Sequence, residues 1–175
     1  MPRKAKPDKR KPEKRRTWLG ELGILVFSLV ICQAAGAVPV FINATMPFIP
    51  DWYGDLVKPS FNPPDWIFAP VWTTLYLMMG TSLYIVLRRG LRRNGASVAV
   101  FGLQLALNSS WSVVFFGIHR PDWAFAVILA LFASIVWTIL RFARVSKWGA
   151  LLLVPYAGWV SFATVLNLSL WRLNP

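Results

Sequence analysis

From Gly95 to Ile118 the chain reads GASVAVFGLQLALNSSWSVVFFGI, a run without a charged residue, long enough to cross a ~30 Å hydrocarbon core as one helix. On a helical wheel at ~100° per residue, Gly95, Ala99, Gly102, Ala106 and Ser110 fall along one narrow seam. Gln104, Asn108, Trp111 and Phe115 fall on the opposite side. In lipid, small residues let helix backbones approach closely, and polar side chains turn away from acyl chains because an unsatisfied group there is costly. The stretch therefore predicts a helix with two interfaces. The small seam packs against another helix, as in a homodimer, and the amide and indole face lines an internal cavity. The plainer alternative is that Gln104 and Asn108 only bond neighbouring helices.

Outward from this run, further apolar stretches at about 19–41, 66–87, 122–141 and 148–171 bring the count to five spans. The expected fold class is all-α: a polytopic membrane protein, a bundle of five transmembrane helices over residues 18–175. A composition that is 56% apolar, with mean hydropathy +0.50, agrees with that class. Residues 1–17 read as a basic, disordered tail, with nine Lys and Arg before Thr17.

The cations test the span count independently, because cytoplasmic loops retain Lys and Arg. With the N-terminus inside and the C-terminus outside, 16 of the 19 fall on the inner side, leaving only Lys58, Arg120 and Arg172 outside. A missing or extra span would scramble that split. The expected location is a bacterial inner membrane, or an organelle membrane in a eukaryote. No basic stripe interleaves with polar recognition residues, so nucleic acid is not an expected partner, whereas the lipid bilayer is. A rival reading of the first span is a cleavable signal peptide ending at Ala35-Gly36-Ala37.

The long connection between the first two spans carries Trp52, Tyr53, Phe61 and Trp66 among Pro47, Pro50, Pro59, Pro63 and Pro64. Prolines fix the backbone, so this segment is expected to form a stiff cap over the outer mouth; an interfacial aromatic belt is the alternative. Trp72 and Tyr76 stand one turn apart in the second span. In the fifth, Pro155, Trp159, Ala163, Leu166 and Leu170 recur at helical spacing, with Asn167 beside them. Aromatic walls with a few amides suit a flat, largely apolar ligand.

Chemistry is narrowed by elimination. The seven carboxylates lie in the tail, the loops or the first turn of the first span, which counts against proton- or ion-coupled pumping. No acid–base pair, Cys/His dyad or phosphate-cradling loop is present, and neither a metal nor a cofactor is expected. The one histidine, His119, reads as a solvated residue of a short outer loop.

Several of these segments, in order, resemble the tryptophan-rich sensory protein and translocator protein (TspO/MBR, peripheral benzodiazepine receptor) family. They are Trp52-Tyr53 through Lys58-Pro59, Pro63-Pro64, Pro70-Val71-Trp72 to Leu75-Tyr76, Gln104 to Asn108 with Trp111-Ser112 and Phe115-Phe116-Gly117, and Pro155-Tyr156 through Trp159 to Leu166-Asn167. The resemblance implies a five-helix bundle, often dimeric, that binds porphyrins such as protoporphyrin IX in a sensing, scavenging or transport role. Carried over by position, it implies a ligand site of Trp52, Trp72, Tyr76, Gln104, Asn108, Trp111, Trp159 and Ala163. It also implies an alternative, light- and oxygen-dependent porphyrin breakdown, with Trp72 and Trp159 as the catalytic candidates; a third reading, from the small seam, is a structural membrane partner acting through dimer contacts. Where the family's sterol motif normally has Tyr, this chain reads Leu166-Asn167-Leu168-Ser169-Leu170-Trp171-Arg172.

Overall fold

In the computed structural model, which describes residues 17–38, 41, 45 and 49–175, every regular element is helical. The basic tail and most of the stretch that follows Val38 lie outside the described residues. Five helical stretches are long and apolar enough to cross a membrane: Trp18–Gly36, Asp65–Leu87, Leu91–Gly117, Pro121–Ala143 and Lys147–Leu173. The chain is a multi-pass integral membrane protein of the all-α class.

The first span is α1 (Trp18–Gly36), started by the Thr17 hydroxyl, which accepts from the Gly20 amide at 3.3 Å. A short α2 (Ile49–Asp55) and a 3₁₀ turn (Asp65–Ile67) precede the second span, α3 (Phe68–Leu87). The third, α4 (Leu91–Ser112), runs into a π-helical turn (Val113–Gly117), and α5 (Pro121–Ala143) is the fourth. The fifth is broken into α6 (Lys147–Leu151) and α7 (Val154–Leu173). Pro155 sits in the first turn of α7, where its missing N–H is tolerated but cannot serve the carbonyl four residues earlier, so the chain bends there.

Helices α1 and α3 run side by side, and Gly80 sets their approach: a Cβ there would stand 2.9 Å from both the Leu29 Cα and the Ser28 carbonyl. Helix α4 packs on α5, which packs in turn on α7. The end of the bundle that carries the α3–α4 and α5–α6 loops is filled by side chains such as Met79, Phe101, Ile135 and Phe142, with the Phe101 and Phe142 rings stacked at 5.6 Å. At that end Arg89 donates to the Val145 carbonyl, joining the α3–α4 and α5–α6 loops.

The third span supports the two-sided reading only in part. Gly95, Ala99, Gly102, Ala106 and Ser110 are all exposed, and a Cβ added at Gly95 or Gly102 would meet open space. Among the described residues the small seam has no helix against it. The opposite face, with Gln104, Asn108 and Phe115, is buried.

Candidate functional site

Toward the opposite end of the bundle the helices part around a cavity of about 500 Å³. Its walls are built from all sides: Gln33, Gly36 and Ala37 at the end of α1, Phe68, Trp72, Thr73 and Tyr76 from α3, and Trp111 and Ser112 from α4. Phe115 and Phe116 enter from the π turn, and Trp159, Ala163, Leu166, Asn167 and Leu170 from α7. The π turn is local sequence logic made visible: the Ile118 amide reaches back five residues to the Val113 carbonyl at 2.9 Å, and this wider turn aims consecutive phenylalanines at the hollow.

The aromatic rings hold one another in place. Trp72 stacks on Tyr76 with centroids 5.5 Å apart, Trp111 stacks on Phe115 at 5.1 Å, and Phe68 meets Trp159 edge-on at 6.0 Å. The Trp111 indole N–H is fixed by donating to Asn167 Oδ1 at 2.9 Å, while Asn167 Nδ2 donates to the Pro121 carbonyl at 2.8 Å. Such walls are rigid before any ligand arrives, which lowers the ordering cost of binding.

Of the residues singled out from sequence, Trp72, Tyr76, Trp111, Trp159 and Ala163 wall this one cavity. The other three do not line it. Trp52 lies beneath the cap, between Phe115 at 5.6 Å and the His119 ring at 4.4 Å, and so positions α2 rather than facing the hollow. Asn108 is behind Tyr76: its Oδ1 accepts from the Tyr76 hydroxyl, and its Nδ2 donates to the Tyr156 hydroxyl at 2.9 Å. Gln104, 1% exposed, is one turn farther in, and neither polar atom of its amide has a protein partner among the described residues. A helical wheel gives direction but not depth, and both amides sit deeper than the cavity floor.

His119 is also not the solvated residue expected. Its ring stacks on Trp52 with an interplanar angle of 14°, and its buried Nε2 has no hydrogen-bond partner among the described residues. Its backbone, at φ 57°, takes the left-handed position that ends the helix before α5 begins. The ten tryptophans divide by direction. Trp52, Trp72, Trp111 and Trp159 point inward, whereas Trp18, Trp66, Trp123, Trp137, Trp148 and Trp171 are exposed.

The contribution of α1 was not legible from sequence. Gly36 approaches the Tyr76 ring so closely that a Cβ would stand 2.3 Å from it, and Gln33 Nε2 donates to the Thr73 carbonyl at 3.3 Å. The small triplet read as a cleavage signal thus packs against the cavity wall; the lone amide of Gln33 in an apolar span was the available clue.

Over the mouth, α2 and the following loop dock by aromatic contacts: Tyr53 on Phe115 and Phe116, and Phe61 on Phe162. Tyr53 and Asp65 reach the rim of the cavity. Burial, and then the nearby Asp65 carboxylate, push the Tyr53 phenol above its ordinary range, so it remains a protonated donor toward Asn62 Oδ1 at 3.4 Å. Among the described residues Asp65 is the one carboxyl side chain in the lining, and no Lys, Arg or His contributes to it. Among the described residues no group of three or more His, Cys, Asp or Glu is assembled.

The family model described as TspO/MBR matches residues 28–172, which takes in the second half of the first span, nearly all of the other four and the whole cavity. The chain belongs to the TspO/MBR family. Its relatives include the tryptophan-rich protein TspO of Chlorobaculum tepidum, 48% identical over 155 residues, covering 86% of this chain and 96% of that one. The human translocator protein is 40% identical over 126 residues, 70% of this chain and 75% of its own. Protein CrtK of Rhodobacter capsulatus is 35% identical over 156 residues, 88% of this chain and 94% of its own.

Proposed function

We propose that this protein is a membrane receptor or translocator whose outer-half cavity binds a porphyrin-like molecule, a flat ring system that is largely apolar. The observation that carries the reading is the cavity itself. At about 500 Å³ it falls within the usual range of roughly 300–1,000 Å³ for small-molecule sites. Its indole and phenyl faces supply area, and its few amide and hydroxyl groups supply orientation. Protoporphyrin IX is the probe: titrated into the purified chain, it should quench tryptophan fluorescence saturably. Trp72→Phe and Trp159→Phe should each weaken binding several-fold. Absence of saturation, or quenching unchanged from wild type in both variants, would remove the reading.

The chain acts as a homodimer in this proposal, and the exposed small seam of α4 is the contact. An outward-facing stripe of Gly, Ala and Ser along a whole membrane helix offers little to lipid and much to a second backbone. The N-terminus lies on the side where Arg88, Arg89, Arg92, Arg93, Arg141, Arg144 and Lys147 cluster, and the cavity mouth lies on the other.

A further inference from the structure

Among the described residues no cation lines the cavity, yet a lysine is held against one of its lining rings. Lys58 Nζ lies 4.5 Å from the centroid of the Tyr53 ring, and Tyr53 is itself a lining residue. The side chain is half-buried, and among the described residues no carboxylate lies within ion-pair distance of its ammonium. The backbone around it is pinned on both sides. Val57, before it, exchanges hydrogen bonds with the Asn174 side chain at 2.9 and 3.1 Å. Pro59, after it, has a fixed φ and closes a turn in which its carbonyl accepts from Asn62 N at 2.9 Å.

Two other cations belong to this end of the molecule. Arg120 is engaged by the Asp122 carboxylate in a two-point fork at 2.8 and 2.6 Å. Arg172 is exposed and makes no ion pair or ring contact among the described residues. Lys58 alone combines partial burial, an unpaired charge and contact with a lining ring. An ammonium in that position gains from the ring face but keeps donors free for an anion.

We infer that Lys58 is an anion-recognition residue at the mouth, taking a carboxylate borne on the edge of a flat ligand whose apolar body fills the cavity. This rests on the porphyrin reading and sharpens it: the favoured ligand is an amphiphile with an acidic edge, not a fully apolar ring. The ring system enters first, and the acidic edge stays at the surface, where water and the ammonium share its charge.

The test compares protoporphyrin IX, which carries two carboxylates, with its dimethyl ester, which has the same ring and no charge. Affinities are measured for the full chain in neutral detergent, for wild type, Lys58→Met, Lys58→Arg and Arg172→Gln. The expected result is that Lys58→Met weakens the diacid about fivefold and more at low salt than at high salt, while the ester changes less than twofold. Lys58→Arg should restore diacid binding, and Arg172→Gln should leave the diacid-to-ester ratio at its wild-type value. Equal losses for diacid and ester in Lys58→Met would mark a structural role in the cap and overturn the inference. So would a ratio that follows Arg172 instead. Wild type that binds both porphyrins equally well would overturn the inference and leave the cavity reading intact, whereas saturable binding of neither would overturn both.

Discussion

The Asn174 side chain forms a two-way hydrogen-bonded ring with the backbone of Val57, 117 residues away, accepting from its N–H at 2.9 Å and donating to its C=O at 3.1 Å. The same Nδ2 also reaches the Leu170 carbonyl at 2.8 Å. The last residues of the fifth span thereby hold down the cap between the first two.

Asn174→Ala removes that clasp. Each lost bond is worth about 1 kcal/mol, so the cap should open roughly five- to thirty-fold more often while the bundle keeps its melting temperature. Hydrogen exchange at the Val57 amide reads the opening directly, and unchanged protection there would contradict the clasp.

Asn108 makes a different prediction. It bridges the Tyr76 and Tyr156 hydroxyls, both buried, at 4% and 0% exposure. Asn108→Leu leaves both hydroxyls without their amide partner, at a cost of about 1–3 kcal/mol each. Thermal unfolding in detergent should therefore fall by several degrees. Ligand affinity should fall less than for Trp72→Phe, since Asn108 acts on the cavity only through Tyr76.

Gln104→Leu should have the opposite sign. Its amide is buried with neither polar atom bonded to protein among the described residues, so an apolar residue of similar shape removes a desolvation cost of about 1–3 kcal/mol. A higher unfolding temperature with unchanged ligand affinity is expected. A lower temperature would show that the amide is satisfied by something other than a protein group.

Gly102→Leu addresses assembly. Gly102 has open space where a side chain would go, so the monomer fold should tolerate leucine, while a helix–helix contact along the seam should not. Light scattering or crosslinking in detergent should show a shift from dimer to monomer with little change in affinity for protoporphyrin IX. Unaltered assembly would place any dimer contact elsewhere.

Much of this protein was legible in the chain alone. Hydrocarbon thickness fixes span length, and backbone polarity forbids anything but helices there, so runs such as Gly95–Ile118 and Pro121–Ala143 announce themselves. The direction of Trp111 followed from helical periodicity, because it shares a face with Gln104 and Asn108 and amides turn from lipid. The ordered motifs gave the family, which the match over residues 28–172 shows.

Depth and company were decided only by the tertiary structure. Periodicity assigns a face without saying how far along it the cavity ends, so Gln104 and Asn108 could not be separated from Trp111 until Tyr76 and Tyr156 were seen to claim the amide of Asn108. Nor does spacing show what crosses between distant segments. Gly36 against Tyr76, His119 under Trp52 and Asn174 on Val57 each join residues more than 35 positions apart. Hydropathy is a property of each segment by itself, whereas a cavity is a property of how segments fail to fill the space between them.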